Sequence, residues 1–498
     1  NHLMLRKLLN NLTPNYNSLK SRTVFGIIFL VSLFIRLPFF FRDYIDKDES
    51  TFIIMGQSWV NGHLPYVELW DLKPPINFLF FAGVIYAFGK SLIAIRFFGA
   101  LIIAITSFYS YKITLLVSTK KIAFWCAIFC VFFESLFGSM QGVMSEHISM
   151  VFFIPAIYFL LKYEKWYLIL IAGILMGLTS MVKLNMAYPI TWAGFYFIYN
   201  YTRRKEYTKG IINTIAFGSG ILLIIALTIF PYYYNGNVDL WWNSVIKAPL
   251  TYIESRRSSF LSFAPLIMLL TVFFVFAKKK NLIDFKNQTI QLLLIITIGI
   301  VVSFIKGGRL NGHYLIQLYP VLLILVSIFI SNISFLKRLT YKPILAFLLL
   351  LIPMESYLEY IAIIKNKIEK GSYFNGEGIE IPLYLEKNNI DTTSILFTEY
   401  HIGYWFLETN PPTKSATHPS NIYRSELFPF YKNPRITVLE EIRFILEEKR
   451  PQIIVKRKGK ELLDRKLVDE NKYANNYLEH HYKLLKTIGN AIIYQRLK

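Results

Sequence analysis

The feature that most constrains this chain is a long succession of apolar runs. Eleven stretches, at 23–41, 92–117, 122–140, 146–162, 166–182, 186–201, 209–231, 261–277, 288–305, 314–332 and 343–362, are candidates to cross a bilayer. A hydrocarbon layer of ~30 Å takes about 17–25 helical residues, so the expectation is a polytopic α-helical membrane protein with about eleven spans. A twelfth run, INFLFFAGVIYAFG at 76–89, is too short to span comfortably and is expected to be interfacial or re-entrant. Composition agrees, with 54% hydrophobic and 17% aromatic residues. Cys126 and Cys130 lie four apart in one apolar run, share a helix face and are expected to pack there. Asn1-His2-Leu3 reads as an added leader before a native start at Met4, and the first apolar run, lacking a small-residue cleavage site, as a retained anchor.

The net charge of +22 raises the question of nucleic acid, and its distribution answers it. Lysine and arginine accumulate in cytoplasmic loops. With Arg6, Lys7, Lys20 and Arg22 inside and 76–89 not spanning, Lys120-Lys121, Lys162/Lys165, Arg203-Arg204-Lys205, Lys278-Lys279-Lys280 and Lys337-Arg338 all fall inside too. Were 76–89 to span, every cluster but the first would switch sides. Orientation therefore accounts for much of the charge, and no nucleic-acid partner is needed. The same pattern makes 42–91, 141–146, 183–185, 232–260, 306–313 and everything after about 363 extracytoplasmic.

Five polar groups collect on that outer face. Asp48-Glu49 precede STFIIMGQSWV, an amphipathic stretch that would lie along the bilayer surface. Asp71 and Lys73 lead into the short apolar run through Pro74-Pro75, which suit a helix start. Ser145-Glu146-His147 begin a span, where Glu146 could equally serve the helix dipole. Lys183 interrupts two apolar runs, and an anionic ligand or one of the acids would remove the cost of placing it there. KGGRLNGHY at 306–314 combines Arg309, three glycines, His313 and Tyr314, the chemistry of a phosphate site with an added hydrogen-bonding pair. Carboxylates can take a proton or hold a metal, and lysine and arginine can stabilise a departing phosphate. Together they point to catalysis on a lipid phosphate.

The chain resembles the integral-membrane glycosyltransferases of the GT-C type, especially bacterial relatives of the protein O-mannosyltransferases and the lipid A aminoarabinose transferases. The resemblance is carried by Asp48-Glu49, Trp70-Asp71-Leu72-Lys73-Pro74-Pro75, Arg96, Glu146, GILMGLTSMVKL at 173–184 and GHYLIQLYP at 312–320, and it covers about 24–330. It implies that Asp48 is the essential acid with Glu49 beside it, and Glu146 is carried as a further catalytic candidate. Lys73, Lys183, Arg309, His313, Tyr314 and Arg96 are the candidates for holding the donor and its phosphate. Asp71 and His147 are the candidate ligands for a divalent metal, whose use varies among these families. Leu72 separates the acid from the lysine here, which puts the geometry of that pair in question. The implied reaction is one displacement with inversion: a polyprenyl-phosphate-linked sugar passes to a glycolipid, polysaccharide or protein acceptor at the outer face of a bacterial cytoplasmic membrane.

Three domains are expected: a cytoplasmic segment at 1–22, a GT-C-like transmembrane catalytic domain at 23–362, and an extracytoplasmic α/β domain at 363–498. In the last, SILFT at 394–398, QIIVKR at 452–457 and NAIIYQRL at 490–497 read as strands and VLEEIRFILEEK at 438–449 as an amphipathic helix. The loop YWFLETNPPTKSATHP at 404–419 could hang over the membrane site, but His401 and His418 stand outside the expected site. Two other classes fit the spans: a flippase for lipid-linked saccharides, and an O-antigen ligase or polymerase. Acids clustered on one face, without an internal repeat, argue against the first. The Asp48-Glu49 loop argues against the second.

Overall fold

The computed structural model describes residues 15–334 and 348–497. Arg6, Lys7, Lys337, Arg338 and the start of the 343–362 run lie outside the described residues. Every other expected run forms a helix. Among the described residues, six helical stretches are long and apolar enough to cross a membrane: Ser21–Phe41, Leu92–Thr114, Ser145–Lys162, Tyr207–Tyr234, Phe260–Lys279 and Gln288–Gly307. Pro75–Phe88, Trp166–Val182 and Tyr319–Ser331 are shorter apolar helices, and Lys120–Ser135 and Ala187–Arg203 complete the series. The 122–140 run stops at Ser135 because Phe137 and Gly138 take positive φ angles of 75° and 56°. The 314–332 run opens as a tight 3-10 turn over Gly312–Gln317 before helix Tyr319–Ser331 begins with Pro320 in its first turn.

Helices in lipid gain little from hydrophobic exclusion and associate through close backbone approach at small residues. Helices Trp166–Val182 and Tyr207–Tyr234 pack this way: a Cβ on Gly220 would stand 2.6 Å from the Ile174 nitrogen and 2.7 Å from the Gly173 carbonyl carbon. On Tyr207–Tyr234, Ile211, Ile215, Leu222 and Phe230 remain exposed, as lipid-facing side chains do.

The C-terminal region builds one sheet from β1 (Ile395–Phe397), β2 (Ile453–Arg457), β3 (Tyr482–Ile488) and β4 (Ala491–Arg496), in the order β1-β2-β4-β3. β1 and β2 are parallel, with Leu396 opposite Ile454, and the other pairs are antiparallel. Strand side chains alternate between faces. Leu396 and Ile454 enter one core with Ala416, Ile442, Leu446 and Leu478. Ile395, Phe397, Ile453 and Val455 enter another, continuous with Phe52, Trp70 and Phe78 of the first long loop. The expected boundary at 363 falls inside helix Met354–Lys370.

That shared core seats the sheet on the loop, and polar contacts set the seating. Arg42 bridges Asn375, the Gly378 N–H donates to Asp43, and Trp405 Nε1 donates to Gln57 at 2.9 Å. Trp70, fully buried, donates from Nε1 to Ser244 at 2.9 Å and lies 4.6 Å from the Tyr431 ring.

Candidate active site

Asp46 caps helix Lys47–Val60, its side chain accepting the Asp48 N–H at 2.8 Å. Asp48 is thereby held in the first turn, where a carboxylate suits the helix dipole. Its Oδ2 lies 3.5 Å from Lys73 Nζ and its Oδ1 3.2 Å from His418 Nε2. Burial pushes the Asp48 carboxyl up, but the Lys73 ammonium and then the hydrogen bond from His418 outweigh it and hold it well below the usual carboxylate range. Lys73 answers in kind: burial disfavours its charge, yet Asp48, Tyr314, Asp71 and Glu146 keep its ammonium above the ordinary lysine value. Pro74 caps the helix that follows and Pro75 opens it, so the chain turns just after Lys73, whose carbonyl accepts from Tyr66.

A second group abuts the first. Glu146, in the first turn of helix Ser145–Lys162, is ion-paired to Lys183 and accepts from Ser145 at 3.1 Å. Lys183 caps helix Trp166–Val182 and stands 4.2 Å from the centroid of the Tyr314 ring. His313 lies 3.8 Å from Glu146 and edge-on to Tyr314. The acid that sequence alone could not separate from a dipole partner therefore holds the buried lysine.

Lys73, Lys183 and Arg309 line one cavity of about 290 Å³ whose other walls include Leu72, Leu184, Pro249, Leu250, Ile253 and Phe304. Three cations drawn from three segments thus stand in an apolar-walled space, with Tyr314 beside them.

Four expected site residues have other duties. Successive helical residues point about 100° apart, so Glu49 does not share the outlook of Asp48. It points to a different face of the helix start, buried, where Arg96 binds it at 2.8 and 2.7 Å and the Val143 N–H donates to it at 2.8 Å. Arg96 also donates from Nη1 to the Phe39 and Arg42 carbonyls, so four of its five N–H donors are engaged within the protein. His147 caps its own helix: Nδ1 accepts the Met144 N–H at 3.1 Å and Nε2 donates to the Glu134 carbonyl at 2.8 Å. Asp71 is buried and acts on Lys73 through its charge. Among the described residues no group of three or more His, Cys, Asp or Glu side chains converges as a metal site. Both ring nitrogens of His147 are engaged in these bonds, and Asp71 stands beside Lys73.

Residues 58–275 match the family model described as dolichyl-phosphate-mannose-protein mannosyltransferase. No curated protein matches the chain. Among solved structures, apo ArnT from Cupriavidus metallidurans superposes with a TM-score of 0.58 at 12% identity, covering 94% of this chain and 96% of that one. The chain has the GT-C fold. ArnT from the same organism bound to undecaprenyl phosphate matches equally, at TM-score 0.58, 13% identity and coverage of 94% and 97%. The oligosaccharyltransferase of Archaeoglobus fulgidus with zinc and sulfate aligns at TM-score 0.48 and 12% identity, over 87% of this chain and 68% of that one.

The contact that sequence reasoning missed is His418. It reaches Asp48 from a loop hundreds of positions away, the 404–419 loop expected to hang over the site, in which nothing local singles out this histidine.

Proposed function

We propose that this protein is a glycosyltransferase that takes a sugar from a polyprenyl-phosphate donor at the outer face of the cytoplasmic membrane. The observation that carries this reading is the apolar-walled cavity lined by Lys73, Lys183 and Arg309, with Asp48 held on Lys73. An isoprenoid phosphate has the same division: a hydrocarbon chain suited to Leu184, Leu250 and Phe304, and an anionic head suited to the three cations. The family match and the undecaprenyl phosphate bound by the structural neighbour support a lipid-linked donor.

In the reaction we propose, an acceptor hydroxyl attacks the anomeric carbon from the face opposite the phosphate. Asp48 accepts the hydroxyl proton as the new C–O bond forms. The bond from the anomeric carbon to the phosphate oxygen breaks, and its electron pair leaves with the lipid phosphate, whose growing charge Lys73, Lys183 and Arg309 stabilise. The products are the glycoside, with inverted configuration, and polyprenyl phosphate. Asp48 starts as a weak base because Lys73 faces it. When the donor phosphate engages Lys73, the carboxylate loses part of that compensation and becomes a better proton acceptor in the complex.

The test is transfer of radiolabelled sugar from polyprenyl-phosphate donors into envelopes of a strain lacking this gene, with wild type compared against Asp48→Asn. General-base loss costs about 10²–10⁴-fold, so label should enter a lipid, polysaccharide or protein fraction with wild type and fall by at least that order with the variant. Thermal unfolding should show both proteins folded. An active Asp48→Asn protein would remove the assignment.

A further inference from the structure

The Asp48 carboxylate has two oxygens, and they face different parts of the chain. Oδ2 faces Lys73, in the loop that borders the donor cavity. Oδ1 faces Nε2 of His418, from the C-terminal region. The protonation pattern of His418 follows from its other nitrogen: Nδ1 accepts the Ser420 N–H at 3.2 Å. A ring nitrogen that accepts carries no proton, so in the neutral ring the proton is on Nε2 and is donated to Asp48. The ring is enclosed, with its side chain 9% exposed. Behind it His401 lies at a centroid distance of 6.0 Å. Nε2 of His401 meets Thr51 Oγ at 2.9 Å, and that hydroxyl donates to the Lys47 carbonyl at 3.0 Å. Both histidines therefore aim N–H donors at the first turns of helix Lys47–Val60.

We propose that His418 is a positioning residue for glycosyl transfer, a neutral Nε2–H donor that holds Asp48 Oδ1 in place when the donor phosphate draws Lys73 away. This rests on the reading of Asp48 as the proton acceptor and deepens it. A carboxylate beside only a lysine would lose that anchor, and be free to turn, when the lysine engaged the incoming phosphate. With His418 on the second oxygen, its plane and its open lone pairs stay aimed at one point. The C-terminal region then completes the active site as well as covering it.

Other charged and titratable groups around Asp48 are Asp46 and Lys47 on its own helix, Lys73 in the loop, His313 and Tyr314 from the turn at 312–317, the Glu146–Lys183 pair, and His401. His313 is the second histidine within electrostatic reach, so it is the necessary control for any pH effect.

Two measurements decide the proposal. In the full chain, labelled with ¹⁵N-histidine and held in lipid nanodiscs at neutral pH, His418→Gln assigns the signal. The ring should be neutral and protonated at Nε2, and Asp48→Asn should shift that signal. A proton on Nδ1, or no response to Asp48→Asn, overturns the proposal whether or not transfer is detected. In the transfer assay, loss of a hydrogen bond to a charged group should lower kcat of His418→Ala by about tenfold to a hundredfold, with the donor KM little changed. Because a donor that favours the carboxylate has gone, the acid limb of the pH profile should move to higher pH. His418→Gln, which keeps an N–H donor of similar reach, should restore both, and His313→Gln should not reproduce the kcat and KM pattern of His418→Ala. An unmoved acid limb, or a glutamine variant no better than alanine, overturns the proposal even if Asp48→Asn has confirmed the enzyme.

Discussion

The ammonium of Lys73 lies 3.5 Å from the carboxylate of Asp48, so the group proposed to hold the leaving phosphate also holds the charge of the group proposed to take the proton. On the proposed reading, donor binding and base activation are linked. A phosphate that competes for Lys73 weakens the interaction that keeps Asp48 below the usual carboxylate range. In the proposed reaction Asp48 is therefore most basic when a donor is present.

Replacing Lys73 by methionine keeps the length of the side chain and removes the charge. The donor KM should rise about tenfold or more, the order expected for a hydrogen bond to a charged group. The acid limb of kcat/KM should also move upward, since Asp48 loses its main compensating charge. A donor titration of transfer rate at several pH values reads both effects. A changed KM with an unmoved acid limb would separate the phosphate role from the link to Asp48.

Asp43 provides a stability prediction away from the chemistry. Burial pushes its carboxyl up to about 6, against the hydrogen bond from the Gly378 N–H. The unfolded chain ionises near ~3.9. The folded state therefore retains the proton over the window from about 4 to about 6, and the stability present below that window is lost as pH rises through it. Asp43→Asn stays neutral throughout, so its melting temperature should gain on wild type at pH 7 and gain little at pH 4. Thermal unfolding at the two pH values checks the sign.

Glu49 and Arg96 form a buried two-point ion pair, with Arg96 also serving two carbonyls. Removing one partner leaves the other charged and buried, which costs about 3–5 kcal/mol. Arg96→Met and Glu49→Gln should each lower thermal stability by that order. The double variant should cost clearly less than the sum, because no stranded charge remains. Additive losses would show that the pair is not coupled.

Gly376 tests the seating of the C-terminal region. It sits at φ +110°, and a Cβ there would fall inside the Asp43 carboxylate. Gly376→Ala should unseat Asp43 from Gly378, loosen the contact that brings His418 to Asp48, and lower transfer along with stability. Limited proteolysis of the C-terminal region, compared between wild type and variant, reads the loosening directly.

Much of this was legible in order along the chain. Run length and apolarity marked the helices, because a helix in lipid must satisfy its backbone internally over a set distance. Asp48, Lys73, Lys183 and Arg309 stood out because charge beside apolar runs is costly without a use. Three of the four strands were visible from short β-branched runs, while β3 was missed: its YKLLKTI sequence keeps four exposed positions as an edge strand and offers no buried run.

Sequence by itself determined a polytopic helical chain and the residues that meet around one cavity. Tertiary structure decided which of those residues remain free to act. Asp48 and Glu49 are neighbours in sequence, but a turn of about 100° per residue sends one toward Lys73 and the other toward Arg96. His147 was diverted to its own helix cap, and His418 entered the site from the far end of the chain. The period of a helix can be read locally, but its phase is set by what it packs against, and a contact across hundreds of residues exists only after the sheet and the first loop have buried a common core.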